Sequence, residues 1–233
     1  MAGKTIGIIG AMKEEIQLIL EQLKEVATEK HAGITYYFGT YQNKQIVLTQ
    51  SGVGKVNAAV CTQILIDRYA VSKIVFTGVA GALDPRLNIG DIVISSSSVQ
   101  HDMDVRALGF PRGTIPFQEV SEFVSDGQLI TLAVEAGQSV YPDHCIVGKV
   151  LSGDQFIADR SIVKMLYEEF EGACTEMEGA AVAQVCYMND IPHVIIRSMS
   201  DKADGSAHVV YDQFVVEAAN RSYAIVNEMI QRM

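Results

Sequence analysis

Four carboxylates and one arginine in this chain are of the types that activate water. They are Glu15 in "GAMKEEI", Glu176 and Glu178 in "CTEMEGAAV", and Asp201 with Arg197 in "RSMSDKAD". Two or three converging carboxylates can do acid and base chemistry with neither a metal nor a covalent nucleophile. Cleaving a glycosidic bond, for example, takes one protonated carboxyl for the leaving group and one ionised carboxylate for the water. Each residue also has a plainer use. The first turn of a helix exposes unpaired amides that favour Glu176 and Glu178. Glu15 suits the solvated face of a charged helix, and Asp201 suits a cap or turn. Arg197 resists such a reading: an arginine ending the apolar run "HVIIR" is costly to bury unless a carboxylate pairs with it.

Positioning these groups requires strands that end together. "KTIGIIGAM" reads as a strand closed by Gly10, and "KEEIQLILEQLKEV" as a helix with Ile16, Ile19, Leu20 and Leu23 on one face. "ITYYFGTYQNKQIVLTQ" reads as a hairpin turning at Gln42-Asn43-Lys44, followed by the glycine loop "SGVGKVNAA" and a helix through Ile66. Further apolar runs, "KIVFTG", "IVISSSS", "CIVGKVLSGD" and "HVIIRSMSD", precede a closing helix, "YDQFVVEAANRSYAIVNEMI". This alternation predicts an α/β fold with a mostly parallel central sheet and helices on its faces, in a single domain over residues 1–233. In such sheets ligands bind beyond the carboxyl ends of the strands. Glu15, Glu176, Glu178 and Asp201 all fall at such ends. "GFPRGTIPFQEVSEF", Gly109 to Phe123, reads as a long loop at a rim or subunit contact, with exposed aromatics.

Composition excludes several classes of partner. The chain has 233 residues, 48% hydrophobic, with a formal net charge of −10 and no run of Lys or Arg. Neither a nucleic-acid backbone nor an anionic membrane is an expected partner. No apolar run reaches the roughly 20 residues of a membrane span. Four cysteines without a CxxC pair, and no cleavable leader pattern, predict reduced thiols in a cytoplasmic protein.

Other chemistries find little support. "SGVGKVN" lacks the third glycine of a dinucleotide fingerprint and an acidic residue about 20 residues later. Gly78 and Gly81 in "TGVAGAL" let a backbone approach a ligand without naming it. The histidines are dispersed, "HDMD" is the only local cluster of hard ligands, and no G-x-S-x-G elbow occurs. No metal or cofactor is expected. Met12, Met177 and Met199 at strand ends serve as core filling or as a soft wall against a flat or thioether ligand.

Taken together, "IGIIGAMKEEI", "SGVGKVNAA", "TGVAGAL", "NIGDIVIS", "HDMDV", "VLSGDQFI", "TEMEGAAVAQVC" and "RSMSDKAD" resemble, in order and from end to end, the 5'-methylthioadenosine/S-adenosylhomocysteine nucleosidases of the nucleoside phosphorylase superfamily. The resemblance implies a three-layer α/β/α sandwich, a homodimer, and hydrolysis of adenine nucleosides bearing a 5'-thio group. It implies that Asp201 protonates adenine N7 and that Glu15, helped by Arg197, orients the attacking water. Glu178 would hold ribose hydroxyls beside Met177, Phe156 would stack on adenine, and the backbone of Ile157 would read its edge. Met12, Val53, Val79, Gly81, Glu176, Ser200 and Phe214 complete the implied substrate site, and Val105, Leu108 and Pro116 lie on a loop that reaches the neighbouring subunit's 5' pocket.

Val79 stands where many relatives have serine, Gly179-Ala180 replaces Ala-Thr, and Leu108 replaces a common aromatic. The 5' group is thereby left open to 5'-deoxyadenosine or 6-amino-6-deoxyfutalosine. Two further readings stand beside this one: a phosphorylase using phosphate in place of water, and a noncatalytic nucleoside-binding protein.

Overall fold

The structure, a computed structural model, describes residues 5–203 and 207–233. Asp204, which closes the last motif quoted above, lies outside them. Ile6-Gly7-Ile8-Ile9-Gly10 is buried along its whole length because β1 (Ile6–Gly10) runs parallel between β4 (Lys44–Gln50) and β5 (Lys73–Ala82). Beyond β4 the sheet continues antiparallel through β3 (Ile34–Tyr41) to β2 (Lys24–His31). The β3–β4 hairpin turns on Gln42 and Asn43, both at positive φ (48° and 59°), as a two-residue turn between twisted strands requires.

On its other side β5 pairs in parallel with β10 (His193–Asp201) and, at its last residues, antiparallel with β9 (Gly172–Glu176). β6 (Ile92–Gln100) and β8 (Cys145–Ser152) join β10 to β9, so five strands close into a ring: β5, β10, β6, β8 and β9. A short β7 (Glu122–Val124) adds to β6. The mixed sheet is the expected one; its closure leaves no pattern in the sequence.

Alternate strand residues feed two apolar layers. Ile8, Val75, Ile94 and Ile196 pack on α1 (Lys13–Gln22), α3 (Gly127–Val140) and α6 (Ala207–Arg232) through residues such as Ile19, Ala133 and Ile225. Ile9, Phe76, Val93 and Ile195 pack on α2 (Lys55–Tyr69) and α5 (Gly179–Met188) through Leu65, Cys61, Val182 and Cys186. These are the outer layers of the sandwich. α4 (Arg160–Phe170), capped by the Asp159 carboxylate on the amides of Ser161 and Ile162, packs Leu166 and Phe170 near Ile157. Among the described residues no helix is long and apolar enough to cross a membrane, and all four cysteines are free.

Three expectations are corrected. The first helix ends at Gln22: Leu23 is extended and buried against the core, and Lys24-Glu25-Val26 begin the edge strand β2. Arg197 lies in the middle of β10, because the strand runs on through Ser198-Met199-Ser200 to Asp201. Phe123 is buried in β7, while Phe117 in the preceding loop is 90% exposed.

Candidate active site

The carboxyl ends of β1, β5, β9 and β10 open on one cavity of about 250 Å³. Glu15 enters it from the first turn of α1. One carboxylate oxygen accepts from the amides of Ala11 (2.6 Å) and Met12 (2.9 Å), the other from the amide of Val79 (3.0 Å). Burial raises its pKa, while the Arg197 charge and the three amides act in the opposite sense. Gly78 must be glycine here, because a Cβ on it would run into the Arg197 guanidinium and the Glu15 carboxylate together.

The "EME" segment divides its labour. Glu176 caps α5, accepting from the amides of Glu178 (3.2 Å) and Gly179 (2.9 Å), and also accepts from the Ser152 hydroxyl. Its Oε2 takes the Nη2 of Arg197, which is 1% exposed and lies over the Phe76 ring at 3.9 Å. Glu178 accepts from the amide of Gly54 (2.8 Å) and stands 3.9 Å from Arg197. Burial, followed by the Glu176 charge, pushes its pKa up to about 8. The capping role and the functional role of this segment therefore fall to different glutamates.

Asp201 reaches the cavity through a β-bulge. Met199 pairs with Ala80 and Asp201 with Gly81, so Ser200 is the extra residue. The Asp201 carboxylate accepts from the Ser200 hydroxyl (2.8 Å) and the Ala203 amide (2.7 Å) and is 2% exposed. A Cβ on Gly81 would lie 3.0 Å from its Oδ1, so the glycine leaves the space beside the acid open.

Met12, Val53, Val79, Phe156, Ile157, Met177 and Ser200 line the same cavity, as the resemblance implied. Phe214 does not. Tyr211 takes its place: its hydroxyl donates to the Met12 sulfur (3.0 Å) and its ring meets Phe156 edge-on with centroids 5.8 Å apart. Residues three apart lie about 60° apart around a helix, which carries Phe214 out of the cavity. Arg197 sits behind Glu176 and does not line the wall, because its guanidinium is taken up by the ion pair and Phe76. Val105, Leu108 and Pro116 lie outside this chain's cavity, with Leu108 67% exposed. Sequence reasoning also missed Gln155 and Thr175, whose neighbours Phe156 and Glu176 were the only signals toward them.

A site of buried carboxylates at these strand ends defines a class, the phosphorylase superfamily; its family model matches residues 5–231, and the chain belongs to it. Within that class it resembles several nucleosidases. It is 41% identical over 232 residues to the 5'-methylthioadenosine/S-adenosylhomocysteine nucleosidase of Staphylococcus carnosus, covering 98% of this chain and 100% of the relative. It is 38% identical over 229 residues to the aminodeoxyfutalosine nucleosidase of Campylobacter jejuni, covering 98% and 99%. Its backbone matches that of the 5'-methylthioadenosine/S-adenosylhomocysteine nucleosidase from Neisseria meningitidis, in complex with methylthio-immucillin-A, with a TM-score of 0.95 at 37% identity over 99% of this chain and 100% of the other. The enzyme is thus a hydrolase of the N-glycosidic bond of adenine nucleosides.

Proposed function

We propose that residues 1–233 form one nucleosidase domain that releases adenine from 5'-methylthioadenosine and S-adenosylhomocysteine, the substrates named for its relatives. The observation that carries the assignment of roles is the meeting of Glu15, Glu178 and Asp201 on one buried cavity. Asp201 delivers a proton to adenine N7 as the electrons of the C1'–N9 bond pass into the purine. Glu178 holds the ribose hydroxyls and offsets the positive charge that develops on the sugar. Glu15 accepts a proton from the water that bonds to C1', leaving adenine and the 5-substituted ribose. Arg197 is a positioning residue that fixes Glu176 and sets the field at Glu15 and Glu178.

Water is favoured over phosphate because the amides of Ala11, Met12 and Val79, which could otherwise cradle an anion, are already engaged by the Glu15 carboxylate. The protein acts as a cytoplasmic homodimer in this reading. The exposure of Leu108 and Phe117 supports it, since this loop is the one that would reach the neighbouring subunit's 5' pocket.

The test is adenine release from 5'-methylthioadenosine by purified protein, with and without phosphate, with the sugar identified. Free methylthioribose without phosphate is expected. A sugar 1-phosphate formed only with phosphate would overturn hydrolysis, and nucleoside binding without any cleavage would leave a binding protein.

A further inference from the structure

Thr175 is 5% exposed, lines the nucleoside cavity, and has a hydroxyl with no hydrogen-bond partner among the described residues. Native interiors rarely leave a hydroxyl so, since a buried donor without a partner destabilises the fold. Valine would fill the same volume and suits a strand at least as well. The hydroxyl therefore needs a reason outside the folding of the chain.

Strand register supplies one. β5 lies between β10 and β9 at this level, and Gly81 pairs with Asp201 on one side and with Thr175 on the other. Directly paired residues present their side chains to the same face of a sheet. Asp201 and Thr175 therefore flank a glycine with no side chain, two strand spacings apart, or about 9.5 Å between backbones. That slot fits the width of a flat heterocycle, and Phe156 and Ile157 line the same cavity. Asp201 closes one end of the slot and Thr175 the other.

We propose that Thr175 is a specificity-determining residue whose hydroxyl hydrogen-bonds to the purine of the bound nucleoside, across the Gly81 slot from Asp201. This rests on the nucleosidase reading above. The ring nitrogens and amino group of adenine offer both acceptors and donors, and a threonine hydroxyl serves either.

Thr175→Val and Thr175→Ser separate this role from packing. Adenine, the product, is the probe, with its Kd measured by calorimetry beside KM and kcat for 5'-methylthioadenosine and the thermal midpoint of the ligand-free protein. Thr175→Val is expected to weaken adenine binding and raise KM by roughly 5- to 20-fold. Its thermal midpoint stays equal to or above that of the parent, because an unpaired hydroxyl has been removed. Thr175→Ser keeps both constants within about 3-fold. An unchanged Kd for adenine in Thr175→Val would overturn the inference, as would a thermal midpoint that falls while Kd holds, since the hydroxyl would then serve the fold alone. The parent protein reports separately on the reading beneath: if it releases no adenine, the nucleosidase assignment fails whatever the variants show.

Discussion

Glu176 and Arg197 form a buried ion pair whose charges act on both Glu15 and Glu178. The glutamate also holds the start of α5 and the Ser152 hydroxyl, and the arginine also faces Glu178. Removing one partner leaves a buried charge unmatched. Glu176→Gln is expected to destabilise the protein by about 3–5 kcal/mol in urea unfolding, and to lower turnover in whatever fraction remains folded. A loss below about 1 kcal/mol would mean that Glu15 and Glu178 suffice as counter-charges.

The proton donor is tested by Asp201→Asn. The amide keeps the shape and one acceptor oxygen but has no proton to lose, so turnover should fall roughly 10²-fold or more while nucleoside binding stays measurable by calorimetry. Near-parental turnover would remove Asp201 from the mechanism.

Glu178 makes stability depend on pH. Its pKa is about 8 in the fold against an ordinary 4.5, with burial the main cause. Between those values the unfolded chain has released a proton that the native one retains, so its contribution is complete at low pH and is lost as pH rises toward 8. Thermal melts across this window should show the parent losing stability relative to Glu178→Gln as pH increases. Ribose hydroxyls donating to the carboxylate favour its ionised form, so nucleoside binding near pH 7 should release a fraction of a proton per site, measurable by calorimetry in buffers of different ionisation enthalpy.

Gly78→Ala inserts a methyl group between Arg197 and Glu15. Overpacking of this kind costs about 1–3 kcal/mol, and the displaced base should lower kcat at least 10-fold. A variant folded and active to within a factor of two would show that the two side chains can part.

The loop carrying Leu108 and Phe117 is expected to make the dimer contact. Analytical ultracentrifugation should find a dimer, and Phe117→Asp should shift it toward monomer and raise KM for 5'-methylthioadenosine with little change in the melting of isolated subunits. A monomeric parent with full activity would remove the neighbouring subunit from the site.

Much of this was legible in the sequence. Ile8 and Ile9 on opposite faces announce a strand buried on both sides, and Gln42-Asn43 announces the β3–β4 hairpin. Glu15, Glu178 and Asp201 could be placed together by the rule that ligands gather beyond strand ends. What failed to show was long-range geometry. The closed ring depends on β5 pairing with β10 and β9 at once, and no local pattern encodes two partners. Tyr211 and Phe214 are both aromatic on one helix, and only the helix's rotation on the sheet selects between them. The helix reading extends four residues too far because Leu23 continues the apolar face and Lys24-Glu25 the charged one; the pairing of β2 with β3 overrides that preference.

Ser200 gives the acid's orientation an arithmetic character. Side chains on a strand alternate between faces, and the single unmatched residue after Met199 is what brings Asp201 level with Gly81. Were the ladder unbroken, Ser200 would stand opposite Gly81 and Asp201 would move on to Ala82, with its carboxyl turned to the other side of the sheet. The chemistry of this enzyme is thus guarded by parity: substitutions along the strand can be graded in their effect, but whether the strand skips one residue before the acid is all or nothing.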